Sequence, residues 1–235
     1  MGGSARRYAG RMREVADDVF HLPLAPRCSV NAYLIGDTLV DAGFSFQAGK
    51  VLSEVRGRVV AQHVLTHAHV DHAGGTRKVI DALRIPVRAG ERDLPNLHTG
   101  DVELEVPGPL KPVGRRYASF TAVPEAAALR IGETIGPDFV VLDTPGHSAG
   151  HVSFWRERDR VLVCGDVVNG MDLRTTRAGL REPPSIFTPD AVENRRSIRR
   201  LADLEPRLVL VGHGPPVTNA AVAFREFAGR LPSDD

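Results

Sequence analysis

Residues 66–75 read THAHVDHAGG, which places His67, His69, Asp71 and His72 within six positions. The apolar run VVAQHVLT (59–66) leads straight into this segment, and Val79, Ile80 and Leu83 beyond it show helical spacing. The four side chains therefore sit where a strand passes into a helix, and a rigid strand end is a good platform for functional groups. Imidazole nitrogens and a carboxylate suit zinc, iron, manganese or cobalt. Leaving a strand end, His67 and His69 can turn to one side while Asp71 and His72 turn to another. One short segment can then feed two adjacent ions. A solvated polar loop is the competing reading, although four ligand-type groups so close together seldom arise by chance.

Further donors are expected at other strand ends. His147 follows FVVLDT (139–144), Asp166 ends RVLVCGD (160–166), and His213 follows RLVLVG (207–212). Each lies beside glycine, which lets the backbone approach a crowded centre. VFHLPLA (19–25), VNAYLIG (30–36) and TLVDAG (38–43) read as strands of a meander, and LRIGETI (129–135) and HVSFWRE (151–157) as later strands. Helices are expected over 47–58, 72–84 and 216–231, and over TPDAVENRRSIRRLADL (188–204) with Thr188 as N-cap and Pro189 at the first helical position. Residues 100–116, rich in Pro and Gly, read as a surface connection between two halves, roughly 15–120 and 121–230, of a single domain covering 1–235. Both halves run from strands to helices, which predicts two sheets packed face to face with helices outside.

Composition narrows the partners. The chain has 235 residues, 42% of them apolar and 25% charged, as expected of a soluble globular protein. A net charge of +1 offers no general attraction to nucleic acid or an anionic membrane. No stretch approaches the roughly 20 apolar residues of a membrane span, and the N-terminus lacks the apolar core of a secretory signal. Cys28 and Cys164 are far apart in no CxxC pattern, which suits a reducing compartment. The expectation is a cytoplasmic protein acting on a small-molecule substrate, without nucleic-acid or membrane partners. Its oligomeric state is open, a homodimer included.

THAHVDHAGG, TPGHSAGH, CGD and GHGPP, in that order and spacing, resemble the metallo-β-lactamase superfamily of dinuclear metallohydrolases. The likeness spans nearly the whole chain, from VNAYLIGDTLVDAG to GHGPP. It implies an α/β fold, a four-layer αββα sandwich of two mixed sheets with helices outside and the site at one edge between the sheets. It implies His67, His69 and His147 on a first metal, Asp71, His72 and His213 on a second, and Asp166 bridging both. Asp41, in LVDAG, would orient a ligand histidine. The implied cofactors are two divalent ions, with zinc expected and iron or manganese also suited. The implied chemistry is hydrolysis, a metal-bridging hydroxide attacking a small ester, thioester or lactone while Asp71 holds or receives its proton.

The resemblance is strongest in kind to glyoxalase II and lactonase-type members, with departures from each. Asp166 stands where β-lactamases with mixed ligands carry a cysteine. Asn169 stands where lactonases carry a tyrosine, and no tyrosine follows Tyr117 to serve glutathione as in glyoxalase II. The alternatives are a mononuclear iron dioxygenase acting on a persulfide, or a β-lactamase-like hydrolase of another substrate class. The segment 167–187 is expected to lie over the metals, with Asn169, Met171 and Phe187 as substrate contacts. His151 is expected to act through a supporting hydrogen bond, and Cys164 as a small core residue.

Overall fold

A computed structural model describes residues 10–102 and 119–232. The connection expected over 100–116 therefore falls mostly outside the described residues. The first sheet is built in chain order from β1 (Arg13–Ala16), β2 (Val19–Pro23), β3 (Asn31–Ile35), β4 (Thr38–Val40), β5 (Gln62–Val64), β6 (Val87–Gly90) and β7 (Ala127–Leu129). It is antiparallel from β1 to β4 and parallel from β4 to β7. The second sheet contains β8 (Thr134–Ile135), β9 (Phe139–Asp143), β10 (Val152–Arg156), β11 (Val161–Gly165), β14 (Leu208–Val211) and β15 (Val217–Thr218), in the spatial order β15-β14-β11-β10-β9-β8. A separate hairpin pairs β12 (Asn169–Met171) with β13 (Ala178–Arg181).

Period-two alternation puts one set of side chains between the sheets and the other beneath helices. Val161, Val163, Leu208 and Leu210 of the second sheet meet Tyr33, Ile35, Val40 and Val64 of the first in one buried cluster. Leu162, Cys164, Val209 and Val211 point the opposite way, against α5 (Ala191–Asp203) and α6 (Ala220–Gly229). On the far side, α1 (Ala48–Glu54) and α3 (Thr76–Leu83) cover Leu22, Ala32, Leu34 and Leu39. Covering both faces explains why these strands read as continuous apolar runs. The result is an αββα sandwich, and among the described residues no helix is long and apolar enough to cross a membrane.

Several elements differ from the sequence expectation. LRIGETI is not one strand: Leu129 ends β7 in the first sheet, and Thr134 starts β8 in the second. The chain changes sheets in between, where Glu133 Oε1 accepts a hydrogen bond from Arg130 N at 2.8 Å and closes a turn. The run 59–66 is a strand only at Gln62–Val64, and Val59 is 77% exposed. The helix expected from Thr188 starts at Ala191 with Asp190 as its N-cap, whose carboxylate accepts from Glu193 N at 2.8 Å. Thr188 is not the cap because its hydroxyl is occupied elsewhere, donating to Pro184 O at 3.0 Å. The strands β1, β6, β12 and β13 and the helix α4 (Leu94–Thr99) were not anticipated, and the helix expected from 216 starts at Ala220, because Val217–Thr218 pairs with β14 as β15.

Candidate metal centre

The seven candidate donors named from the sequence meet beyond the ends of four strands. Past β5, His67 and His69 flank Ala68, and the short helix α2 (Val70–Ala73) carries Asp71 and His72. His147 lies beyond β9, Asp166 directly after β11, and His213 beyond β14. The rings of His67, His69 and His147 form a triangle with centroids 4.6, 4.6 and 4.8 Å apart. Donor atoms of His67, His69 and His147 all lie within 4.8 Å of one another, as do those of Asp71, His72 and His213. A third group of that kind, His67, His72 and Asp166, joins the two. Asp166 Oδ1 is 3.5 Å from His72 Nε2, while its Oδ2 is 3.6 Å from His147 Nε2 and 2.9 Å from His213 Nε2. One carboxylate therefore faces both sets.

The surrounding hydrogen bonds assign the ring tautomers. Thr66 Oγ1 donates to Asp41 Oδ2 at 2.9 Å, so at 3.0 Å it accepts from His67 Nδ1. His72 Nδ1 donates to Asp41 Oδ2 at 2.8 Å, and His213 Nδ1 to Ser29 O at 2.6 Å. Thr188, already donating to Pro184, accepts from His147 Nδ1 at 3.2 Å. Each of these four rings spends its Nδ1–H outward and leaves Nε2 for the centre. His67 Nε2, His72 Nε2, His147 Nε2 and Asp166 Oδ1 are buried without a hydrogen-bond partner. Protein interiors seldom leave so many neighbouring polar atoms unpaired. Lone pairs aimed at common points are what a divalent cation requires, and the donor set fits such ions.

The electrostatics divide the site. Burial, reinforced by His72, His69 and His147, holds the His67 pKa well below its ordinary value. Burial likewise depresses His69 and His147. Burial also opposes charge on His72 and His213, but there the carboxylates outweigh it. Asp166, Asp41 and Asp71 raise His72, and Asp166 with Asp71 raises His213 to about 10. Burial works against ionising Asp71 and Asp166 too, yet the facing imidazoles keep both carboxyls below the usual range. The triangle is thus a neutral nitrogen set, and its neighbour is rich in carboxylate.

Supporting residues explain the local sequence. His151 accepts from the Asp166 backbone N–H at 3.1 Å and pairs through Nδ1 with Thr144 Oγ1 at 2.9 Å. Burial lowers its pKa to about 3, in keeping with a neutral acceptor. A Cβ on Gly212 would collide with Asp166 Oδ1, so the glycine before His213 is required by close approach. Asn31 went unnoticed in the sequence: its Nδ2 donates to Val211 O at 2.9 Å and Gly214 O at 2.8 Å, on both sides of His213. Ser29 and Thr66 were missed likewise, because polar residues at loop positions carry no distinguishing sequence signal, and Thr188 was read as a helix cap and not as a partner of His147. Among the expected substrate contacts, Asn169 and Met171 are both 1% exposed on β12, and Phe187 is 39% exposed.

The family described as the Metallo-beta-lactamase superfamily matches residues 25–213. The probable metallo-hydrolase YflN of Bacillus subtilis (strain 168) is 32% identical over 222 residues, covering 83% of this chain and 82% of that protein. A hydroxyacylglutathione hydrolase of Bdellovibrio bacteriovorus is 26% identical, covering 73% of this chain but only 55% of the relative. Among solved structures, TTHA1623 in a di-iron-bound form superposes with a TM-score of 0.67 at 28% identity, covering 87% of this chain and 96% of that one.

Proposed function

The chain belongs to the metallo-beta-lactamase superfamily and is a metal-dependent hydrolase, and from that premise we propose a dinuclear enzyme cleaving a small ester, thioester or lactone. The observation that carries this reading is Asp166, whose two oxygens face the imidazoles of both donor sets. His67, His69 and His147 would hold one ion, Asp71, His72 and His213 the other, and Asp166 would touch both. Zinc suits these donors, and the di-iron-bound neighbour supports iron beside it. Bound divalent ions would supply Lewis acidity and lower the pKa of a water molecule.

The remaining work belongs to side chains. Asp71 has 22% of its side chain exposed and faces His213 Nε2 at 3.2 Å. As a carboxylate ionised at neutral pH, it can accept the proton of an attacking water. Asp41 keeps His72 in one tautomer, and Ser29 O does the same for His213. Of the three expected substrate contacts Phe187 is the accessible one, whereas Asn169 and Met171 are buried on β12. Relatives that are hydroxyacylglutathione hydrolases favour an acyl substrate over a phosphodiester.

The deciding experiment combines metal analysis with a panel of esters, thioesters, lactones and phosphodiesters. The expected outcome is about two ions per chain, turnover confined to acyl substrates, and abolition by chelators with recovery on adding metal back. His67→Ala and Asp166→Ala are each expected to lower kcat/KM by at least about 100-fold. A purified chain without transition metal, or turnover undiminished by chelation, would contradict the proposal.

A further inference from the structure

Asp93 belongs to none of the donor groups, yet it is 1% exposed and both of its oxygens are engaged. It ends the 3-10 turn Glu91–Asp93 that follows β6. Its Oδ2 accepts from Ala68 N at 2.9 Å and from Ser148 Oγ at 2.7 Å, and its Oδ1 accepts from Gly150 N at 2.7 Å. Ala68 separates His67 from His69, and Ser148 follows His147. One buried carboxylate thus joins the two loops that carry the imidazole triangle.

The joint is tightly packed. A Cβ on Gly150 would collide with the Asp93 backbone nitrogen, which accounts for glycine in GHSAGH. Arg92 Nε holds the neighbouring Ala149 O at 2.6 Å. The arrangement also mirrors the one around Asp41. In the first sheet β5 lies between β4 and β6. Asp41, just past β4, takes Thr66 N, Thr66 Oγ1 and His72 Nδ1. Asp93, past β6, takes Ala68 N. The loop leaving β5 is therefore held by a carboxylate from each side.

We infer that Asp93 is a positioning residue, whose carboxylate sets the separation of the His67–His69 loop from the His147 loop and so governs metal affinity at that triangle. The inference rests on the two-site reading above. Hydrogen bonds to an ionised carboxylate are strong, and losing the acceptor would leave the amides of Ala68 and Gly150 buried and unpaired. Loss of a comparable outer contact commonly weakens metal affinity by about 10–100-fold.

The test is a zinc titration of the full chain against a chromophoric chelator, resolving two dissociation constants. His147→Ala and His213→Ala, each removing a donor from one site, assign them. Asp93→Asn preserves shape but turns one acceptor into a donor. It is expected to weaken the His67–His69–His147 constant by about 10–100-fold and the other by less than about threefold. Equal weakening at both sites alongside a lower unfolding temperature of the metal-free chain would make Asp93 a general fold stabiliser and overturn the inference. Unchanged affinity at both would overturn it as well. If Asp93→Asn does not fold, Ser148→Ala removes only one bond to Oδ2 and must weaken the same site selectively, by about threefold or more. A wild-type chain binding one ion refutes the two-site reading instead; the inference then stands if Asp93→Asn weakens that ion and falls if it does not.

Discussion

His21 shows how a residue remote from the centre contributes to it. Its Nε2 meets Asn31 Oδ1 at 2.7 Å, and Asn31 can only accept there because its Nδ2 is committed to Val211 O and Gly214 O. His21 therefore donates from Nε2, while its Nδ1 is buried without a partner. Adding a proton at Nδ1 would create an unpaired buried cation, and burial lowers the His21 pKa to about 4. The unfolded chain binds this proton near pH 6.5, the folded chain only near 4, so the contribution to stability is lost as pH falls through that window. The loss amounts to about 3 kcal/mol at most. Urea titrations of metal-free protein between pH 7.5 and 4.5 should show a shallower decline for His21→Gln, which can still donate to Asn31. A slope identical to wild type would remove His21 from the account.

At the scale of elements, α5 is the brace for two of the loops that carry donors. Ser197 Oγ donates to Pro145 O at 2.7 Å, two residues before His147, and Asn194 Nδ2 donates to Val167 O at 3.0 Å, next to Asp166. At the start of that helix, the cap expected at Thr188 falls to another residue. Asp190 caps the helix, and Thr188 serves His147. Asp190→Ala should accordingly cost about 1 kcal/mol of unfolding free energy, with the metal-free baseline measured by denaturant titration. Thr188→Ala should cost less stability than that but weaken metal binding at the His67–His69–His147 triangle by about tenfold. The reverse pattern, with Thr188 dominating helix stability, would restore it as the cap.

The whole molecule places this chemistry where two sheets meet. Both sheets contribute to one buried layer, so a void there loosens the platform beneath donors from either half. Leu210 is fully buried in that layer, three residues before His213. Leu210→Ala is expected to destabilise the fold by about 2–5 kcal/mol, read from the urea midpoint at unchanged m-value; a loss below about 1 kcal/mol would argue that the layer relaxes around the cavity. By itself the sequence singled out the seven ligand-type side chains that the fold brings together, because ligand chemistry is written in residue type and the apolar runs leading to His67, Asp166 and His213 mark strand ends. It also determined the pairing of apolar strands with amphipathic helices, through local periodicity. Only the tertiary structure decided that LRIGETI divides between sheets, that Thr188 turns to His147, and that Asn31 and Asp93 hold loops distant in the chain. Hydrogen bonds across such separations depend on how the sheets register, and an isolated Asp or Asn in a loop looks the same in sequence whether it faces water or braces a metal centre.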